Sequence, residues 1–148
     1  MVYSKGCHTV YSHRYHVVWA TKYRYDVLKG ELRVRVGEII RQTCAELGVE
    51  IIKGVLSKDH VHMFISVPPQ HALSDVMRRI KGRSSRRIQQ EFTAIKKRYW
   101  GRHFWARGYF SATTGNMVLQ YLDNHATDPT DVRWDGCRPP QTASRCAK

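Results

Sequence analysis

The chain has 148 residues, enough for one ordinary domain of ~100–150 residues with a true core, and 42% of them are hydrophobic, which excludes wholesale disorder. No run approaches the ~20 apolar residues of a membrane helix, and the opening Met-Val-Tyr-Ser-Lys-Gly lacks a signal peptide's apolar stretch, so a soluble protein inside the cell is expected. Lys and Arg number 25 against 12 Asp and Glu, and the resulting net charge of +13 points first to a polyanion, above all nucleic acid.

Val10–Ala20 is rich in β-branched and aromatic residues and predicts a strand. A basic, tyrosine-containing connection, Lys22–Gly30, follows. Leu32, Val36, Ile39, Ile40, Cys44 and Leu47 recur at helical spacing from Glu31 to Leu47, and Gly48 ends that helix. Val49–Leu56 predicts a second strand. Ser57-Lys58-Asp59 turns into a third, His60–Val67, which Pro68-Pro69 stops.

A second helix is expected from about Leu73 to Phe92, extending as far as Arg98 at most. Leu73, Val76, Met77, Ile80, Ile88 and Phe92 form its apolar stripe. An aromatic connector (Tyr99, Trp100, Phe104, Trp105) leads to a short strand, Tyr109–Thr113. Gly115 precedes a last helix, from Asn116 to about His125. The order β-α-β-β-α-β-α predicts an α+β, ferredoxin-like (split β-α-β) antiparallel sheet with helices on one face. Residues 1–125 form the expected domain, with its core from about residue 10, and residues 126–148 read as an irregular tail.

The charge is concentrated. Between Arg78 and Arg107 eleven Lys and Arg face only Glu91, a net +10 of the chain's +13. Arg79, Arg83, Arg86 and Arg87 lie mainly off the apolar stripe and are candidate DNA contacts, the alternative being a merely solvated face. Cys7, Cys44, Cys137 and Cys146 form no zinc-binding spacing, and Cys44 falls on an apolar helix face.

The third strand carries the most chemistry. Alternation puts Val61, Met63, Ile65 and Val67 on one apolar face and His60, His62, Phe64 and Ser66 on the other. Two imidazoles side by side on an open sheet face suit one metal ion, although a lone His is more often a plain surface residue. Tyr121 and His125, four apart, share one face of the last helix. Taken alone, Tyr121 reads more readily as a buried aromatic and His125 as a helix C-cap. Taken with the histidine pair and the basic cluster, His60, His62 and His125 form a candidate ligand set for a divalent ion, and Tyr121 a candidate nucleophile toward a phosphodiester.

These residues resemble a known family. His60-Val61-His62 is similar to the histidine–hydrophobic–histidine (HUH) motif of single-tyrosine HUH endonucleases, specifically the small transposases of the insertion-sequence 200/605 group. Tyr15-His16-Val17-Val18-Trp19 with Lys22-Tyr23-Arg24, Ser57-Lys58-Asp59 before the histidines, Lys81-Gly82-Arg83-Ser84-Ser85, and the stretch Trp100-Gly101 to Phe110 extend the resemblance over about residues 10–125. It implies a metal-dependent enzyme, using Mg²⁺ or Mn²⁺, that cuts and rejoins single-stranded DNA at the ends of a mobile element through a 5′-phosphotyrosine on Tyr121. It further implies recognition of DNA hairpins, a homodimer whose tyrosine helix can act in trans, and a cytoplasmic, nucleoid-associated place in a bacterial or archaeal cell. One departure stands out: the family commonly has Gln four residues after the tyrosine, where this chain has His125.

Two rivals remain from the sequence. One is a related HUH nickase or a domesticated transposase acting on chromosomal repeats. The other is a non-catalytic ferredoxin-like module that binds RNA by stacking bases on its sheet.

Overall fold

The computed structural model describes residues 4–5, 10–99, 103–113 and 132–137, and only the backbone of Ser4–Lys5 and Val132–Cys137. Two short strands, β1 (Ser4–Lys5) and β2 (Val10–Tyr11), pair with each other. The strand predicted over Val10–Ala20 is therefore divided. Its longer part, β3 (Arg14–Ala20), begins after His13, whose carbonyl accepts the Val67 N–H at 2.8 Å.

α1 (Gly30–Leu47), β4 (Glu50–Leu56), β5 (His60–Ser66), α2 (Leu73–Glu91), α3 (Thr93–Arg98) and β6 (Phe110–Ala112) follow in chain order. Gly48 ends α1 with a left-handed backbone (φ 71°), so that Val49 N–H reaches Cys44 O at 2.8 Å. The second predicted helix is two. Phe92 adopts extended angles (φ −118°, ψ 96°) that keep its ring packed on the core, and α3 restarts behind it.

β6-β3-β5-β4 are neighbours in that order and every pair is antiparallel, which is the expected ferredoxin-like arrangement. Val17, Trp19, Ile51, Val61, Met63 and Ile65 pack against Leu32, Val36, Ile39 and Ile40 of α1 and Val76, Met77, Ile80 and Ile88 of α2. Both long helices therefore cover one sheet face, and Cys44 is buried within that core.

Two expectations need correction. Residues 126–148 were expected to be irregular, but β7 (Val132–Cys137) adds an antiparallel fifth strand beside β4. Val-Arg-Trp-Asp-Gly-Cys is short and set among Pro, Gly and Asp. Its signal comes mainly from the unpaired edge of β4, which a local reading does not include. The second correction concerns the histidine face, which was expected to be open. His62, Phe64 and Ser66 are 9%, 2% and 5% exposed. β5 is the central strand, and side chains from β3 and β4 flank its residues on both sides. Only the His60 end remains half-exposed.

Candidate active site

The register of β3 and β5 places Ala20 opposite His60 and Val18 opposite His62, so both imidazoles emerge where β3 ends and β5 begins. Their ring centroids are 4.6 Å apart with planes at 73°. His60 Nδ1 lies 2.5 Å from Asp59 Oδ1, and the other carboxylate oxygen of Asp59 accepts Arg24 Nε–H at 3.0 Å. Burial pushes the Asp59 carboxyl up, but the bonds to His60 and Arg24 outweigh it and hold the group below its usual range. A carboxylate on Nδ1 favours the tautomer whose Nε2 keeps its lone pair. This is the donor arrangement that a histidine-bound metal requires, and imidazole beside imidazole fits a divalent ion. Among the described residues no third His, Cys, Asp or Glu joins the pair in a ligand cluster.

The turn before α1 forms one wall. Thr21 N–H donates to Asp59 O at 2.9 Å, and its hydroxyl donates to Tyr25 O at 2.8 Å. Tyr23 (φ 61°) and Arg24 (φ 55°) both take left-handed angles, a strained pair for residues bearing a Cβ. The turn is held by Arg24 N–H to Thr21 O (3.0 Å) and Leu28 N–H to Lys58 O (3.0 Å). The result brings Arg24 to the cleft.

The segment before β6 forms the other wall. Lys22 N–H donates to Phe104 O and Ala106 N–H to Ala20 O, both at 2.9 Å. From α2, Lys81 Nζ donates to Ala106 O and Gly108 O, both at 2.8 Å. Between the walls lies a cleft of about 530 Å³ bordered by His60, His62, Arg24, Arg107 and Tyr109. His16 stacks beside His62 (5.9 Å) with Phe110 edge-on to it, and burial pushes its pKa down, favouring the neutral ring.

These features match one protein family. A family model described as "Transposase IS200 like" matches residues 9–125. The chain belongs to this family. It is 37% identical over 116 residues to the transposase for insertion sequence element IS200 of Salmonella typhimurium, covering 78% of this chain and 76% of that protein. It is 34% identical over 124 residues to the ISDra2 transposase TnpA of Deinococcus radiodurans, covering 81% and 89%. The crystal structure of a D. radiodurans R1 protein described as a transposase superposes with TM-score 0.69 at 33% identity, over 82% of this chain and 96% of that one. A REP-associated tyrosine transposase bound to a REP hairpin shares the fold, with TM-score 0.57 at 13% identity over 80% of this chain and 67% of that one.

In this IS200-like transposase the structure brings His60 and His62 together as predicted, while Tyr121 and His125 lie outside the described residues. The four candidate arginines divide. Arg83 Nη1 donates to Glu46 Oε2 at 2.5 Å and Arg87 Nη1 to Gln42 Oε1 at 3.3 Å, both on α1, whereas Arg79 and Arg86 are exposed. Sequence reasoning did not single out Arg24, Asp59 or His16 as site residues. All three stood within the quoted motifs, but the Arg24–Asp59–His60 chain depends on a turn that no periodicity announces. No helix among the described residues is long and apolar enough to cross a membrane.

Proposed function

We propose that this transposase cuts and rejoins single-stranded DNA at the hairpin-bearing ends of its element, with His60 and His62 holding Mg²⁺ or Mn²⁺, His125 completing the ligand set and Tyr121 as nucleophile. The observation that carries the reading is the Arg24–Asp59–His60 chain beside His62, in a cleft that a phosphodiester can enter. A bound divalent ion supplies Lewis-acid polarisation of the phosphate. The chain's own groups do the rest. Asp59 keeps Nδ1 of His60 occupied, and Arg24 and Arg107 place positive charge along the cleft to bind and orient the phosphate. The Tyr121 hydroxyl gives up its proton to solvent as its oxygen bonds to phosphorus, the P–O3′ bond breaks, and the leaving 3′ oxygen takes up a proton from solvent. The bond energy is conserved in a 5′-phosphotyrosine that a second strand's 3′ hydroxyl can resolve. Two copies of the chain, the tyrosine helix of one serving the histidines of the other, provide the two nucleophiles that two element ends require.

Buried Phe64 weighs against the RNA-binding module, which needs exposed aromatics on its central strands. Tyr109 borders the cleft and is the alternative nucleophile, whereas burial pushes Tyr99 up to about 12 and away from the role. The test is adduct formation on denaturing gels with labelled single-stranded DNA from the element ends. Tyr121→Phe should abolish the adduct, Tyr109→Phe should retain it, and EDTA should block it in the unaltered protein. The reverse pattern for the two tyrosines would move the nucleophile to Tyr109, and full activity in EDTA would remove the metal.

A further inference from the structure

In Lys81-Gly82-Arg83-Ser84-Ser85 of α2, four of the five residues have partners within the chain. Lys81 clasps two carbonyls of the segment before β6, and Arg83 pairs with Glu46. The Ser84 hydroxyl donates to Ile80 O at 2.6 Å and accepts Trp105 Nε1–H at 2.8 Å. Ser85 Oγ accepts the Phe104 N–H at 3.2 Å. Gly82 stands apart. It is exposed in the interior of a helix, where glycine is less favourable than alanine. A left-handed backbone or a neighbour that a Cβ would strike would account for it, but its φ is not positive, and a Cβ built there meets nothing within 4 Å among the described residues. A helix backbone without a Cβ, facing a groove, lets a ligand approach closely.

Over Gly82 lies a groove of about 860 Å³ between α2, α3 and residues 103–108. Arg86, Lys96 and Arg107 border it, and among the described residues no Asp or Glu does. The groove and the histidine cleft share Ala106, Arg107 and Gly108, so the wall that Lys81 clasps serves both. We propose that this groove holds the single-stranded DNA flanking the cut phosphate, its sugar–phosphate backbone passing over Gly82 against Arg86, Lys96 and Arg107. The assignment rests on the reading of the histidine cleft as the site of DNA cleavage. Charge complementarity selects a nucleic-acid strand, and the shared wall selects the strand that enters the cleft.

Fluorescence anisotropy with a fluorescein-labelled oligothymidylate of about 12 nucleotides, titrated with the full chain, tests the groove. Gly82→Gln and Gly82→Glu are close in size and both favour helix over glycine, so both variants should melt at or above the unaltered protein. Gly82→Glu should bind about tenfold more weakly than Gly82→Gln, with the gap narrowing as salt rises. Affinities within about twofold of each other would overturn the proposal. So would a clear preference for oligouridylate, which would give the groove to RNA. Adduct formation in the same samples separates this proposal from the cleavage reading. An adduct with charge-insensitive binding removes the groove alone, and neither adduct nor binding in the unaltered protein removes both.

Discussion

At the histidine cleft, polar groups converge. Arg24 holds Asp59, Asp59 holds His60, and His60 stands beside His62, so each side chain orients the next toward one point. Along α2 they diverge. Lys81 is turned onto the carbonyls of the 106–108 segment, Arg83 and Arg87 onto α1, and Arg79 and Arg86 are left exposed. The density of positive charge is therefore a poor guide to how many of those charges meet DNA. Along α2, a cation with an internal partner contributes to the fold, and an exposed one is available to a phosphate.

The largest expected effect breaks the converging side. His60→Ala should bring strand cleavage below detection while leaving hairpin binding in place. Asp59→Asn retains shape but weakens the hold on Nδ1, and should lower metal affinity or cleavage by ~10–100-fold with little change in melting. Isothermal titration with Mn²⁺ and gel cleavage assays read both variants. Loss of folding in Asp59→Asn would mean that the carboxylate serves the turn rather than the histidine.

Lys81 and Arg86 sharpen the contrast within α2. Lys81→Met leaves two carbonyls without their charged donor and should cost ~1–3 kcal/mol in urea unfolding. Arg86→Gln should leave unfolding unchanged and instead reduce the salt slope of single-stranded DNA binding by ~0.7. If both variants changed only the slope, the division of labour along α2 would be wrong.

The smallest effect concerns the end of α2, where Arg35 grips Glu91 through Nε and Nη2 at 2.8 and 2.9 Å. The bond to Arg35 holds the Glu91 carboxyl below its usual value of 4.5. A depressed carboxyl stabilises the fold above its unfolded pKa, and that contribution is lost as pH falls through the lower folded value. Glu91→Gln should therefore lower the melting temperature slightly at neutral pH, the loss being small because both partners are solvated, and leave it unchanged at low pH, so that the acid-side fall becomes shallower.

Much of this protein was legible in the order of its residues. Apolar spacing marked α1 and α2, alternation marked both faces of β5, Gly48 marked a helix end, and His60 and His62 marked the candidate site, because helix and strand periods and turn chemistry are local properties of a chain. The same local reading missed what depends on a distant partner. β7 needed the free edge of β4, the covering of His62 needed neighbouring strands, and the break at Phe92 needed a core for its ring. The Arg24–Asp59 bond joins residues 35 apart, and Lys81 reaches carbonyls 25 and 27 residues on. Residue types along the chain determined which chemistry was possible; only the packing of sheet, turn and helix decided which charges were already engaged and which remained free for DNA.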